Sequence, residues 1–178
     1  MAQDHGFTLF ETALGRCGVA WNDRGIAQVQ LPERDDGATS KRITKRLPSA
    51  RRETPPADVR AAIELIRAHL SGKTQDLGDI SLDTSGLSAF DARVYRAARA
   101  VPAGRTVTYG ELARQIGSAG AARAVGVALG RNPFAIVVPC HRVVAANGRP
   151  GGFSAHGGLA TKAMILAKEG VRLDATPR

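Results

Sequence analysis

Apolar and polar positions alternate between Phe7 and Leu31 in three short runs, FTLFETA, RCGVAWN and GIAQVQL. The last two are joined by Asn22-Asp23-Arg24-Gly25. A period of two with a tight polar connection predicts strands of a small, mostly antiparallel sheet. The stretch from Asp35 to Pro56 breaks the alternation and reads as loop plus a short helix around Lys41–Leu47. Its six basic residues read as a solvated face. Val59, Ile63, Ile66 and Leu70 then recur at helical spacing, which predicts an amphipathic helix ending near Gly72. Ile80 and Leu82 suggest one more short strand.

Turn residues accumulate at Asp83–Leu87 and mark a boundary, giving an α/β N-terminal domain over 1–82 and a mainly α C-terminal domain over 83–178. In the second domain Ser88-Ala89-Phe90-Asp91 has the form of a capping box, followed by Phe90, Val94, Ala97 and Val101 as a buried stripe. A second box, Thr108-Tyr109-Gly110-Glu111, opens a helix whose Leu112, Ala113 and Ile116 face inward. Gly117 ends it, and Ser118 is placed to cap the next helix, Ala119 to Gly130. Two short helices joined by a glycine-containing turn predict a helix-turn-helix of the winged-helix kind.

That second helix, SAGAARAVGVALG, has Arg123 as its only charged residue. Reading bases in the major groove calls for Asn, Gln and several Arg. A small-residue helix suits close backbone approach to a groove while one guanidinium projects into the duplex. Tight helix packing with Arg123 on the surface is the competing reading.

Charge changes the picture when divided. Residues 1–86 carry 12 Lys+Arg against 12 Asp+Glu, and residues 87–178 carry 13 against 4, so the net +9 belongs to the second half. A polyanionic partner for that half, or a merely solubilising surface, follows. At 43% apolar residues the chain can build real cores. It lacks a run of 18 apolar residues and a basic-then-apolar leader, so a cytoplasmic protein without a membrane partner is expected. The two cysteines, Cys17 and Cys140, are expected as free thiols, Cys17 packed on a strand. No zinc-type spacing is present, and no metal site is expected.

Candidate chemistry centres on Val138-Pro139-Cys140-His141-Arg142-Val143. An apolar segment, Phe134–Pro139, runs into the thiol, which predicts a constrained turn at the end of a buried stretch. A cysteine is only slightly ionised near neutral pH, so a nucleophile needs a base or a positive field. His141 can take the proton, directly or through water, and Glu169 near the end of the last helix can orient the imidazole. A Cys-His-Glu hydrolase and a helix-turn-helix regulator are the rival readings. The hydrolase leaves the basic helix pair unexplained, and the regulator leaves Cys140 idle.

PCHRVV, with NP at 132–133, ARAVG at 122–126, TYGELA at 108–113, GGFS at 151–154 and GGLATK…EG at 157–170, closely resembles the O6-alkylguanine-DNA alkyltransferases. The strong resemblance covers residues 83–170, and the N-terminal part resembles the bacterial family's α/β domain more weakly. It implies repair by irreversible, stoichiometric transfer of an alkyl group from O6-alkylguanine, with O4-methylthymine as an alternative substrate, to the protein's own cysteine. On that resemblance Cys140 is the acceptor, and His141 with Glu169 are the base and its partner. Tyr109 hydrogen-bonds the departing purine, and Asn132 holds the active-site turn. Val143, Phe153 and Ser154 line the guanine pocket. Arg123 replaces the extruded nucleotide, with Ala122, Ser118 and Ala119 beside it on the minor groove of double-stranded DNA. A monomer working without cofactor, tolerant of sequence, is implied. Two departures stand out: Phe153 replaces a common tyrosine, and Ala155 and His156 lengthen the loop beside the pocket. Cysteine at 140 excludes the alkyltransferase-like binders, which carry tryptophan there.

Overall fold

A computed structural model describes residues 4–173. The chain forms two compact units. The first holds everything up to Gly86 together with Pro133–Val137, and the second holds Leu87–Asn132 and the chain from Val138 onward.

In the first unit, β1 (His5–Thr12), β2 (Gly15–Asn22) and β3 (Gly25–Gln30) form an antiparallel meander. A short β4 (Ala50–Arg52) adds parallel to β1, making a mixed sheet of order β3-β2-β1-β4. β2 buries Cys17 to Trp21 without a break, so the sheet is covered on both faces. α1 (Asp36–Arg46) covers one of them by seating Ile43 against Phe7, Leu9, Ala20 and Ala50. Gly18 makes that approach possible, because a Cβ there would stand 2.5 Å from the Ile43 Cδ1. α2 (Ala57–Leu70) packs along β1 with Val59, Ala62, Ile63, Ile66 and Leu70 buried. Cys17 is fully buried, and burial pushes its thiol up to about 12, which leaves it a packing residue.

Three expectations shift. The helix around Lys41 starts earlier, at Asp36, because the Asp35 carboxylate caps it by accepting from the Ala38 N–H at 2.7 Å. The strand at Ile80–Leu82 reduces to a single bridge between Leu82 and Ile26. β4 was not expected, since three residues in a basic run carry no alternation to read.

Pro133–Val137 joins the same sheet region. The Val29 N–H donates to the Pro133 carbonyl at 2.8 Å, and Ala135 N–H donates back to Val29 at 3.3 Å. Phe134, Ile136 and Val137 are buried, and Ile136 holds a left-handed φ of 70°. A β-branched residue in that region is strained, at about 1–3 kcal/mol, so surrounding packing must hold it.

The second unit contains α3 (Ala89–Arg99), β5 (Val107–Thr108), α4 (Tyr109–Gln115), α5 (Ala122–Gly130), β6 (Val143–Val144) and α6 (Gly158–Lys168). β5 and β6 pair in parallel, Val107 against Val143 and Thr108 against Val144. Only half of the first capping box forms. The Ser88 hydroxyl accepts from Asp91 N–H at 3.0 Å, but the Asp91 carboxylate turns to the Arg131 guanidinium at 2.8 and 3.1 Å. Val94 and Val101 of the expected stripe are buried, while Asp91, Tyr95 and Ala98 are buried where Phe90 and Ala97 were expected. Tyr95 ties this helix to α5 through a 2.8 Å bond to the Ala128 carbonyl. The second box is complete, with Thr108 and Glu111 each accepting the other's backbone N–H. Ser118 does not cap α5. Ser118 to Ala121 form a turn with Gly120 at φ 87°, and the helix begins at Ala122.

Candidate active site

Cys140 opens a single 3-10 turn, Cys140–Arg142, between Pro139 and β6. The Cys140 N–H donates to the Val138 carbonyl at 2.8 Å, and Arg142 N–H to Pro139 at 2.9 Å. Asn132 fixes the same turn from outside, its Nδ2 donating to the Val138 carbonyl at 2.9 Å. Part of Cys140 stays open to solvent, yet its thiol is set deep enough that burial pushes its pKa up. The Asn132 amide, the Lys162 ammonium and the N–H groups of Cys140 and His141 pull it back without cancelling the rise. The resting sulfur therefore holds its proton at neutral pH, and ionisation must be driven.

His141 and Glu169 supply the nearest acid–base pair. Both side chains are 1% exposed, and the imidazole Nε2 lies 2.8 Å from Glu169 Oε1. Arg142, the next residue, forks onto the same carboxylate through Nε at 3.0 Å and Nη2 at 2.8 Å. Its Nη1 donates to the Val101 carbonyl at 2.6 Å. A guanidinium does not lose its proton, so the carboxylate beside it stays ionised and accepts only. Nε2 must then carry the imidazole hydrogen, which makes Nδ1 the basic nitrogen. The sequence pattern explains the meeting: Lys162, Ile165, Leu166 and Glu169 recur at helical spacing on the inward side of α6 and the turn that ends it.

Lys162 is the residue that sequence reasoning missed. It is fully buried on α6, and its Nζ donates to the Val143 carbonyl at 2.6 Å and the Gly152 carbonyl at 3.3 Å. Burial brings its pKa down to about 8, against an opposing pull from Cys140. The ammonium also stands 6.0 Å from the centroid of the Tyr109 ring. The available signal was a lysine at an inward position of an otherwise apolar helix stripe.

Tyr109 is the first residue of α4 and is half-buried. Its ring fits against glycines: a Cβ on Gly126 would touch it at 3.8 Å, and one on Gly151 would come within 2.8 Å. Burial first, and Cys140 second, raise the phenol's pKa, so it remains a proton donor at neutral pH. Val143 is buried on β6 and meets the site through its carbonyl. Phe153 is half-buried and Ser154 exposed, on the loop whose Gly152 meets Lys162. Cys140, His141, Glu169, Tyr109, Asn132 and Val143 thus surround one another through short bonds or shared neighbours. Ser118, Ala119, Ala122 and Arg123 lie apart from this group on and before α5, where Arg123 is exposed. Val127, one turn on, is 56% exposed and gives this surface an apolar point.

Among the described residues no cluster of His, Cys, Asp and Glu is placed to hold a metal ion. No described helix is long and apolar enough to cross a membrane.

A half-open cysteine backed by a buried ammonium and an imidazole–carboxylate pair defines a protein with a nucleophilic thiol. The family profile for the 6-O-methylguanine DNA methyltransferase DNA-binding domain matches residues 89–171. A methylated-DNA–protein-cysteine methyltransferase of Mycolicibacterium paratuberculosis is 43% identical over 150 residues, covering 83% of this chain and 88% of that one. The Mycobacterium tuberculosis OGT crystallised in complex with DNA superposes with a TM-score of 0.74 at 31% identity, covering 93% of each chain. An O6-methylguanine-DNA methyltransferase from Pyrococcus kodakaraensis gives 0.70 at 28% identity, covering 94% of this chain and 99% of that one. The chain belongs to the methylated-DNA–protein-cysteine methyltransferases, enzymes of direct-reversal DNA repair.

Proposed function

We infer that Cys140 takes an alkyl group from O6 of a guanine turned out of double-stranded DNA, with O4-methylthymine as a second possible substrate. The thiol's surroundings carry this reading: it is held protonated by burial, beside a lysine ammonium and next in sequence to the histidine of a buried histidine–glutamate pair. His141 Nδ1 draws the thiol proton through a water, and the Lys162 charge favours the thiolate left behind. The sulfur attacks the carbon on O6 from the side opposite the C–O bond. As the S–C bond forms, the C–O electrons pass to the purine, and the Tyr109 hydroxyl donates a hydrogen bond to the charge that develops. Val143, Phe153 and Ser154 border the base, and Asn132 keeps the turn in place.

The product is a thioether, which none of these groups can hydrolyse, so each molecule acts once. A carbon within a stacked duplex cannot be reached by Cys140, so the nucleotide must leave the stack. We assign α4, the turn at Ser118–Ala121 and α5 to a helix-turn-helix that enters the minor groove, with Arg123 in the vacated place. Ala122, Ala119 and Ser118 permit close approach. Transfer and duplex binding are assigned to residues 83–178 of a cytoplasmic monomer. With a duplex carrying radiolabelled O6-methylguanine, label is expected on Cys140 at no more than one equivalent, and Cys140→Ala is expected to bind without accepting it. Label on another residue, or repeated turnover, would overturn the assignment. Ester hydrolysis would favour the hydrolase reading, and binding by the unaltered chain without transfer would favour a regulator.

A further inference from the structure

The six basic residues between Asp35 and Pro56 take no part in the site described above. Residues 36–52 hold six Lys+Arg against one acid, while the rest of residues 1–86 hold 6 against 11, from totals of 12 and 12. The first half is neutral only on average; its positive charge is concentrated in one stretch.

Local structure gathers four of the six onto one side. On α1, Lys41, Lys45 and Arg46 are exposed, the two lysines turned away from buried Ile43 and Arg46 on the flank one turn beyond it. Lys41 and Lys45 are one turn apart, roughly 5–6 Å between Cβ atoms. The register of β4 adds Arg52. It pairs with Phe7, and Ala50, two residues earlier, packs beneath Ile43, so Arg52 emerges on the face that α1 covers. Arg51 points to the opposite face by the same alternation. Elsewhere in this unit arginines meet carboxylates: Arg16 with Glu11 and Asp36, Arg34 with Asp35, Arg42 with Glu33, and Arg67 with Glu64. Lys41, Lys45, Arg46 and Arg52 have no ion-pair partner among the described residues.

We propose that Lys41, Lys45, Arg46 and Arg52 form a second DNA-binding surface, on the first unit, that takes the phosphodiester backbone of duplex DNA without reading sequence. A duplex presents one negative charge per about 1.7 Å of its axis, and cations lacking protein counter-charge release its condensed ions on contact. The rival explanation is protective: basic residues on an edge strand such as β4 discourage pairing with another sheet. That function requires Arg51 and Arg52 equally and gives no reason for three further unpaired cations on α1. This inference is independent of the assignment of α5, which Arg123 substitutions test separately.

The test measures binding of the full chain to an undamaged fluorescent duplex by anisotropy across a salt series. Each phosphate neutralised contributes about 0.9 to the slope of log K against log salt. The variant combining Lys41→Gln, Lys45→Gln, Arg46→Gln and Arg52→Gln is expected to reduce that slope by about 3.6 and weaken binding at least tenfold at low salt. A charge-retaining variant, with Lys41→Arg, Lys45→Arg, Arg46→Lys and Arg52→Lys, is expected to keep the wild-type slope, as is Arg51→Gln. Methyl transfer from the free base O6-methylguanine reports that the fold and thiol are intact. An unchanged slope in the glutamine variant, or equal loss in the charge-retaining one, overturns the proposal. So does sedimentation showing that the glutamine changes only disrupt a protein dimer, which would make this face a contact between copies.

Discussion

Lys162 places one buried charge in the surroundings of the thiol. Its ammonium offsets its desolvation by two carbonyl bonds, to Val143 and Gly152, and lies in the field of Cys140. The signs of the two shifts set the pH response. The Cys140 thiol is raised above its ordinary 9.0, so the thiolate fraction grows as pH rises. Lys162 loses its proton near 8, and above that pH the charge favouring the thiolate disappears. The transfer rate should therefore climb toward pH 8 and then rise less than tenfold per unit of pH. Lys162→Met should slow transfer at pH 7 by at least about tenfold, from loss of one charge interaction of about 1.4 kcal/mol or more. It should also abolish the break near pH 8. Rapid-quench transfer to oligonucleotide across pH checks both, and a break that persists in Lys162→Met would assign it to another group. Cys140, His141 and Glu169 were legible as residues because their types state their chemistry. Lys162 was not, because a lysine reads first as surface charge and its burial depends on what packs over it.

At the scale of elements, legibility follows whether the signal is local. The Thr108–Glu111 box is complete in four consecutive residues and was read as it stands. The Ser88 box looked equivalent, but Arg131, 40 residues away, takes the Asp91 carboxylate. Ser118 looked like a cap for the same reason, while Gly120 in a left-handed conformation delays α5 by three residues. These shifts leave α5 short and small-sided, with Arg123 and Val127 outward and Gly126 beneath Tyr109. Two substitutions separate the outward surface of α5 from the packing of Tyr109. Arg123→Ala should weaken transfer from duplex by about tenfold or more, the effect of losing roughly 1.4 kcal/mol, while leaving transfer from the free base nearly unchanged. Gly151→Ala sets a Cβ 2.8 Å from the Tyr109 ring at a φ of 70°, so the ring or the loop must move. It should slow transfer from duplex and free base alike while duplex affinity holds. Parallel single-turnover assays on both substrates distinguish them; equal losses for Arg123→Ala would remove its role in the duplex.

The compact units differ from the sequence-based division into 1–82 and 83–178 in where they part and in one internal segment. Turn residues mark Asp83–Leu87 in the sequence, and the compact units part after Gly86. Residues 133–137 gave no sign of their partner, because a five-residue apolar run has no period that says which sheet it joins. They belong to the first unit, bonded to Val29 on β3, while Asn132 before them and Val138 after them belong to the second. The two residues that flank this insert are the ones whose mutual bond, Asn132 Nδ2 to the Val138 carbonyl at 2.9 Å, fixes the nucleophile's turn. Residues 133–137, which run between those two, are bonded to Val29 in the first unit. A fragment of residues 83–178 would retain every group assigned to transfer but lose β3. Phe134, Ile136 and Val137, each at most 3% exposed in the intact chain, would become open to water. Burial of such side chains contributes about 1.5–3 kcal/mol each, and the strained backbone at Ile136 would lose the packing that imposes it. The expected result is a fragment with a lower melting temperature and at least tenfold slower transfer even from free O6-methylguanine, which requires no duplex contact. Co-expression with residues 1–82 should restore both. A fragment that melts and transfers like the full chain would show that the turn at Cys140 is held by its own unit alone.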